Sequence, residues 1–314
     1  MATYPQQPRS AHDLLMKRLA DGERILIDGG TGTEIEKRGI TTVEHAWSST
    51  GALDNPDIVR GVHEDYLRAG AELVISNTFS TSRHALTNAG LGEHFERLNR
   101  EGVILAREAA AGAGRDVLVA GGITHWHWTM AEPDRDELWT NVADQARIMA
   151  DAGADLLILE MMADVDRTLA ILDAARTSGL PVWVGFSTKV AADGTVWLYD
   201  ETALLADGVK AMASADVPVL AIMHTEVVDV DPSLDVVDQH WTGPVAVYAH
   251  SGLFVEPNWI FDGVISAEDH AAAVGRWIDR GVQVIGGCCG IGPDHIEALR
   301  PLVHGDQATS TNDR

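Results

Sequence analysis

Eight short apolar runs, separated by longer amphipathic segments, constrain the fold of this chain more than any other feature. The runs are RILID (24–28), ELVISN (72–77), DVLVAG (116–121), DLLILE (155–160), VWVGFS (182–187), PVLAIM (218–223), PVAVY (244–248) and VQVIGG (282–287). They are nearly continuously apolar, as parallel strands covered on both faces must be. Between them the spacing is helical. Asn55-Pro56 predicts a cap with proline at the first helical position, followed by Ile58, Val59, Val62 and Tyr66 on one face. Ser266 and Asp269 form a capping-box pair ahead of Val274, Trp277 and Ile278. Three junctions, Arg68-Ala69-Gly70-Ala71, Asp151-Ala152-Gly153-Ala154 and Asp279-Arg280-Gly281-Val282, repeat one formula. In each, a glycine ends the helix in the left-handed conformation and the next strand begins at once. Repeated βα units mark an α/β protein with a parallel sheet. Eight of them fit a closed (β/α)8 TIM barrel better than an open doubly wound sheet, and 314 residues are ample for a fold that typically needs about 250. No Pro/Gly/Ser-rich linker divides the chain, so residues 1–304 read as one barrel domain and the polar stretch 305–314 as a disordered tail.

Charge and composition narrow the function. Against 47 acidic residues stand 23 basic ones, a net charge of −24 that repels phosphate backbones and argues against a nucleic-acid partner. Small-molecule partners are expected, and a homo-oligomer is compatible with the chain. No run of about 18 consecutive apolar residues is present for a membrane span, and the N-terminal segment lacks a basic stretch leading into an apolar one. A soluble cytoplasmic protein is the expectation. The only two cysteines, Cys288 and Cys289, are neighbours. Adjacent cysteines do not readily form a disulfide, which leaves a two-thiolate claw for a metal as the chemical alternative to coincidence.

In a barrel, functional groups gather where the strands end at their C-termini. The eight predicted strands end in Asp28, Asn77-Thr78, Gly121-Gly122 leading to His125, Glu160, Ser187-Thr188, His224, His250 and Cys288-Cys289. A structural barrel has no need of this arrangement. The last end is the most informative, because glycines flank the two thiols and Pro293-Asp294 opens a helix nearby, whose N-terminus favours anionic sulfur. Catalytic zinc takes three protein ligands and keeps a fourth position open. The third ligand must come from another strand end; His224 is the first choice, with His250 and His125 as competitors. Glu160, directly after LLIL, is expected to face the site rather than serve a structural ion pair.

Four segments resemble the homocysteine S-methyltransferase family along nearly the whole chain. They are LIDGGTGTEIEKRG (26–39), NPDIVRGVHEDYLRAGAELVISNTF (55–79), DAGADLLILEMMADVDRTLA (151–170) and IGGCCGIGPDHIEAL (285–299), the last similar to the family's zinc-binding GGCC signature. The resemblance implies a Zn²⁺ cofactor and transfer of a methyl group from an onium donor, a sulfonium or quaternary ammonium, to a thiol acceptor. Homocysteine giving methionine is the first expectation. Asp28 and Glu160 would hold the acceptor's amino group, with Asn77, Thr78 and His250 beside the substrate.

Three departures from the family pattern stand out. His224 occupies the place of the family's third zinc cysteine, which makes the site one charge less negative. After the seventh strand, Tyr248-Ala249-His250-Ser251-Gly252 replaces the usual YPNSG. After the third, Thr124-His125-Trp126-His127-Trp128 offers Trp126 and Trp128 as candidate donor-binding indoles, by cation–π attraction worth ~0.5–2 kcal/mol each. The competing readings are methyl transfer to a different thiol, and a zinc hydrolase or lyase in which Glu160 or His250 serves as base.

Overall fold

In the computed structural model, which describes residues 10–125, 133–255 and 257–305, every apolar run becomes a strand. The strands are β1 (Ile25–Leu26), β2 (Leu73–Ile75), β3 (Leu118–Thr124), β4 (Leu156–Met162), β5 (Val182–Phe186), β6 (Thr188–Val190), β7 (Val196–Leu198), β8 (Leu220–Glu226), β9 (Val245–His250), β10 (Leu253–Val255), β11 (Asn258–Ile260) and β12 (Val284–Ile285). Eight of them pair in parallel in the order β1-β12-β9-β8-β5-β4-β3-β2. A parallel bridge from Ile27 to Leu73, with Glu72 N–H donating to Leu26 O at 2.7 Å, joins the two ends of that order. The result is a (β/α)8 TIM barrel. Two antiparallel hairpins, β6–β7 and β10–β11, are additions that the spacing of the runs does not announce.

The junction glycines behave as their sequence requires: Gly70, Gly153 and Gly281 have φ of 116°, 99° and 98°. Ser266 accepts the Asp269 N–H as predicted, whereas Asn55 makes no side-chain cap and only its carbonyl receives the first turn. Ile25, Leu73, Leu118, Leu156, Trp183, Val219, Ala246 and Val284 fill the barrel interior. A helix over Ala11–Ala20 closes its lower end with Leu15 and Leu19, and Trp183 Nε1–H donates to His12 Nε2 at 3.0 Å. No helix among the described residues is long and apolar enough to cross a membrane.

Two buried imidazoles make the fold acid-sensitive. His63 is fully buried in the helix Pro56–Ala69 with neither ring nitrogen bonded, and burial pulls its pKa from 6.5 to about 4. The folded chain therefore takes up this proton later than the unfolded one does. The associated stability is complete above pH 6.5 and is lost as pH falls toward 4, about 3 kcal/mol over the window. His270, also buried, behaves likewise, through burial and then the neighbouring His295. Urea titrations at pH 7.5 and pH 5 should show a clearly smaller loss for His63→Leu than for the parent. An equal loss would contradict this reading.

Candidate metal centre

The cysteine loop is built on close approach. After β12, Gly287 N–H donates to Asp28 O at 3.0 Å, Cys288 N–H to Ala249 O at 2.8 Å and Ser251 N–H to Cys289 O at 3.0 Å. The loop is thus laced to the ends of both neighbouring strands. Gly290 has φ of 81°, and a Cβ there would lie 1.9 Å from Ser251 O. A Cβ on Gly286 would meet Asp28 O at 2.6 Å. The glycines around the thiols are therefore a steric necessity of the turn, not spacers.

His224 arrives from β8 by a different device. The β8–β9 register shifts between Met223 and Glu226, and His224 adopts φ of 43°, a conformation that costs a non-glycine residue energy and is frequent at functional sites. Ser187 Oγ–H donates to the Met223 and His224 carbonyls, at 2.9 Å each, and holds the distortion. This places His224 Nδ1 3.5 Å from Cys288 Sγ, and Cys288 Sγ 3.8 Å from Cys289 Sγ. Among the described residues, the three ligand atoms of His224, Cys288 and Cys289 lie within 4.8 Å of one another. A tetrahedral zinc with Zn–S of about 2.3 Å and Zn–N of about 2.05 Å has S···S edges of about 3.8 Å and S···N edges of about 3.6 Å. The two separations from Cys288 Sγ match these edges, and one imidazole with two thiols is a donor chemistry that suits the ion. Burial, and then His250, hold the His224 imidazole well below its ordinary pKa, in the neutral form that ligates metals.

The competing histidines stand outside this group. His250 Nε2 is paired with Glu226 Oε1 at 3.1 Å while its ring lies 4.4 Å from that of His224, so it flanks that imidazole. His125 lies 5.6 Å from His84, ring to ring.

Next to the cysteines is a pocket lined by Gly29, Gly30, Asn77, Glu160 and Tyr248. Asp28, buried beneath it, accepts the Ile75 N–H at 2.7 Å with one oxygen and leaves the other without a partner. Burial, with Glu160 adding to it, raises its pKa well above the carboxylate range. Glu160 is 6% exposed, makes no hydrogen bond to a described residue, and is raised to about 8 by burial. The Tyr248 hydroxyl is buried without a partner as well. Among the described residues, no lysine or arginine lines this pocket. Asn77 exchanges hydrogen bonds with Ser48, which fixes its amide at the rim. Thr78 is different: its hydroxyl donates to Gly122 O at 2.8 Å and accepts Gly122 N–H at 3.2 Å, tying β2 to β3, and it does not line the pocket.

Trp126 and Trp128 lie outside the described residues. A row of other aromatics stands beside the thiols instead, and the strand-end reasoning did not find it. Trp47 meets Phe79 and Phe254 edge-on at 6.3 Å each, Phe254 lies 6.4 Å from Trp259, and Trp259 lies 6.1 Å from His224. Glu36 fixes both ends, accepting Trp47 Nε1–H at 3.2 Å and the Trp259 backbone N–H at 2.9 Å. The only advance sign was the excess of tryptophan, nine against four tyrosines and five phenylalanines.

Known proteins share this architecture. A family model described as homocysteine S-methyltransferase matches residues 25–303. Homocysteine S-methyltransferase of Escherichia coli K12 is 30% identical, covering 91% of this chain and 97% of its own. Selenocysteine methyltransferase of Astragalus bisulcatus is 25% identical, over 91% and 94% of the two chains. Among solved structures, the metallated form of the homocysteine methyltransferase MmuM from Escherichia coli superposes with a TM-score of 0.75 at 25% identity, covering 91% of this chain and 99% of that one. With a family match running from the first barrel strand into the last helix, this chain belongs to the homocysteine S-methyltransferase family.

Proposed function

We propose that this protein is a zinc-dependent S-methyltransferase that moves a methyl group from a sulfonium or quaternary ammonium donor to a thiol, homocysteine giving methionine. The observation that carries this reading is the His224–Cys288–Cys289 triad, in which the two separations from Cys288 Sγ match the edges of a zinc tetrahedron and all three donor atoms lie within 4.8 Å of one another. Bound there by His224, Cys288 and Cys289, zinc would supply the positive charge that keeps an acceptor thiol ionised at neutral pH.

The protein's own groups account for the rest. Glu160 is a buried carboxylate lining a pocket without a basic side chain among the described residues, with the buried Asp28 next to the lining residue Gly29, a setting that selects an ammonium group. Holding the acceptor by its amino group fixes where its sulfur lies against the cysteines. Trp47, Phe79, Phe254 and Trp259 present aromatic surface on which an onium cation is favoured by ~0.5–2 kcal/mol per ring. In the transfer, the acceptor sulfur forms the new S–C bond as the methyl carbon's bond to the onium centre breaks, and the electron pair stays on the departing neutral sulfide or amine. Sulfur, carbon and leaving atom must lie in one line, so rigid placement of both substrates at the barrel mouth carries much of the rate.

His224 tests the ligand assignment. After dialysis, His224→Ala is expected to bind zinc at least about tenfold more weakly than the parent, with the fold retained. Full zinc and full activity in this variant would exclude His224 as the third ligand and turn attention to His250. The acceptor panel should include selenocysteine, since a relative bears that substrate in its name.

A further inference from the structure

At the opposite end of the barrel from the cysteines, four arginines face one cavity of about 450 Å³. Arg18 comes from the helix that plugs the barrel, Arg68 from the C-terminal end of the helix Pro56–Ala69, Arg115 from the segment before β3, and Arg300 from the final helix Pro293–His304. Among the described residues, two carboxylates, Glu72 and Asp116, line the cavity with them, along with His304. In a chain where acids outnumber bases by two to one, this reversal of sign is local and specific.

Two of the guanidiniums have no carboxylate partner among the described residues. Arg115 spends one nitrogen, Nη2, on the Leu67 and Ala71 carbonyls at 2.8 and 2.7 Å, which anchors the side chain and leaves Nε and Nη1 without a bond to a described residue. Arg300 makes no hydrogen bond or ion pair to a described residue; its Cδ and Cγ pack over Gly70. The two charges feel each other, since Arg300 acts with burial to lower the pKa of Arg115, against the opposing influence of Glu72. Glu72 is already engaged by Arg18 at 2.7 Å and by His304 at 3.5 Å, and Arg68 is held by Asp65. Glu72 and Asp65 are thus neutralised by neighbouring cations, and Asp116 makes no hydrogen bond or ion pair to a described residue, while the Arg300 fork and the Nε and Nη1 donors of Arg115 remain open. A free guanidinium edge such as that of Arg300 recognises a tetrahedral oxyanion by two parallel hydrogen bonds, and the remaining single donors of Arg115 can add to them.

We propose that this cavity is a binding site for a phosphate-bearing small molecule, up to the size of a nucleoside monophosphate, separate from the metal centre and gripped by Arg115 and Arg300. The volume lies in the range of small-molecule pockets. The acidic remainder of the surface restricts the ligand to a compact anion, because an extended polyphosphate chain would meet repulsion beyond the cavity.

Isothermal titration of the full chain with inorganic phosphate and with adenosine 5′-monophosphate, at an ionic strength held constant with chloride, tests this directly. Saturable one-site binding is expected for at least one probe. Arg300→Gln, which removes no bond within the protein, should weaken it by about 10- to 100-fold while the zinc content stays at the parental value. Equal molar affinity for both probes would identify the free anion as the ligand, and tighter binding of the nucleotide a phosphate ester. Absence of saturable binding of either probe, or an unchanged affinity in Arg300→Gln, would overturn the proposal.

Discussion

Cys288→Ala is expected to keep the circular dichroism of the parent, to lose stoichiometric zinc, and to lower kcat/KM by about 10³-fold or more. Removing one of three protein donors leaves two, fewer than catalytic zinc sites use. Losing several kcal/mol of charge stabilisation at the reacting sulfur corresponds to a rate loss of that order. The fold should survive, because the loop is held by backbone bonds from Gly287, Cys288 and Ser251 that the side chain does not make. Adding zinc to chelator-stripped parent should restore activity, whereas the same addition to the variant should not. A variant that binds one zinc per chain and turns over normally would remove the cysteine pair from the account.

The second large effect concerns Glu160. With Glu160→Gln, the KM for an amino-acid thiol should rise by about 30-fold or more, the cost of removing one partner from a buried charge pair. An acceptor lacking the amino group should show no such difference between parent and variant. That contrast separates loss of ammonium binding from a general disturbance of the pocket. The same substitution should stabilise the ligand-free protein at high pH. Glu160 titrates at about 8 in the folded chain against 4.5 ordinarily, so the folded state keeps a proton that the unfolded state releases. Stability therefore falls as pH rises from 4.5 to 8, by up to about 4 kcal/mol, and a glutamine escapes that loss. Urea midpoints at pH 5 and pH 8.5 should converge at the acid end and diverge at the alkaline end, with the variant the more stable. A parent that gains stability relative to the variant at pH 8.5 would show that a cation within the protein already partners this carboxylate.

Much of this was legible from residue order because its causes are local. Apolar runs and junction glycines define βα units wherever they occur, and eight units place eight strand ends on one face. The thiols between glycines follow from the same logic, since only glycine tolerates a Cβ position 1.9 Å from a neighbouring carbonyl. What was not legible depends on contacts across the mouth. Trp47 and Phe79 lie on loops, and Phe254 and Trp259 on the β10–β11 hairpin, where neither helical nor strand periodicity singles them out. Tyr248 read as one more apolar residue of β9 until its hydroxyl appeared in the pocket without a partner. Thr78, chosen for its place beside Asn77, turns its hydroxyl into the β2–β3 joint instead. The plug helix Ala11–Ala20 has only modest hydrophobic patterning, and its burial comes from the barrel floor rather than from its own sequence.

The measurement that bears most directly on the central claim is mass-spectrometric product detection. The zinc-loaded protein would be supplied with homocysteine and a panel of sulfonium and quaternary ammonium methyl donors. Methionine that forms with at least one donor, disappears on chelation and returns with added zinc is the predicted result. Zinc confirmed at His224, Cys288 and Cys289 but no methylated thiol from any donor would contradict it.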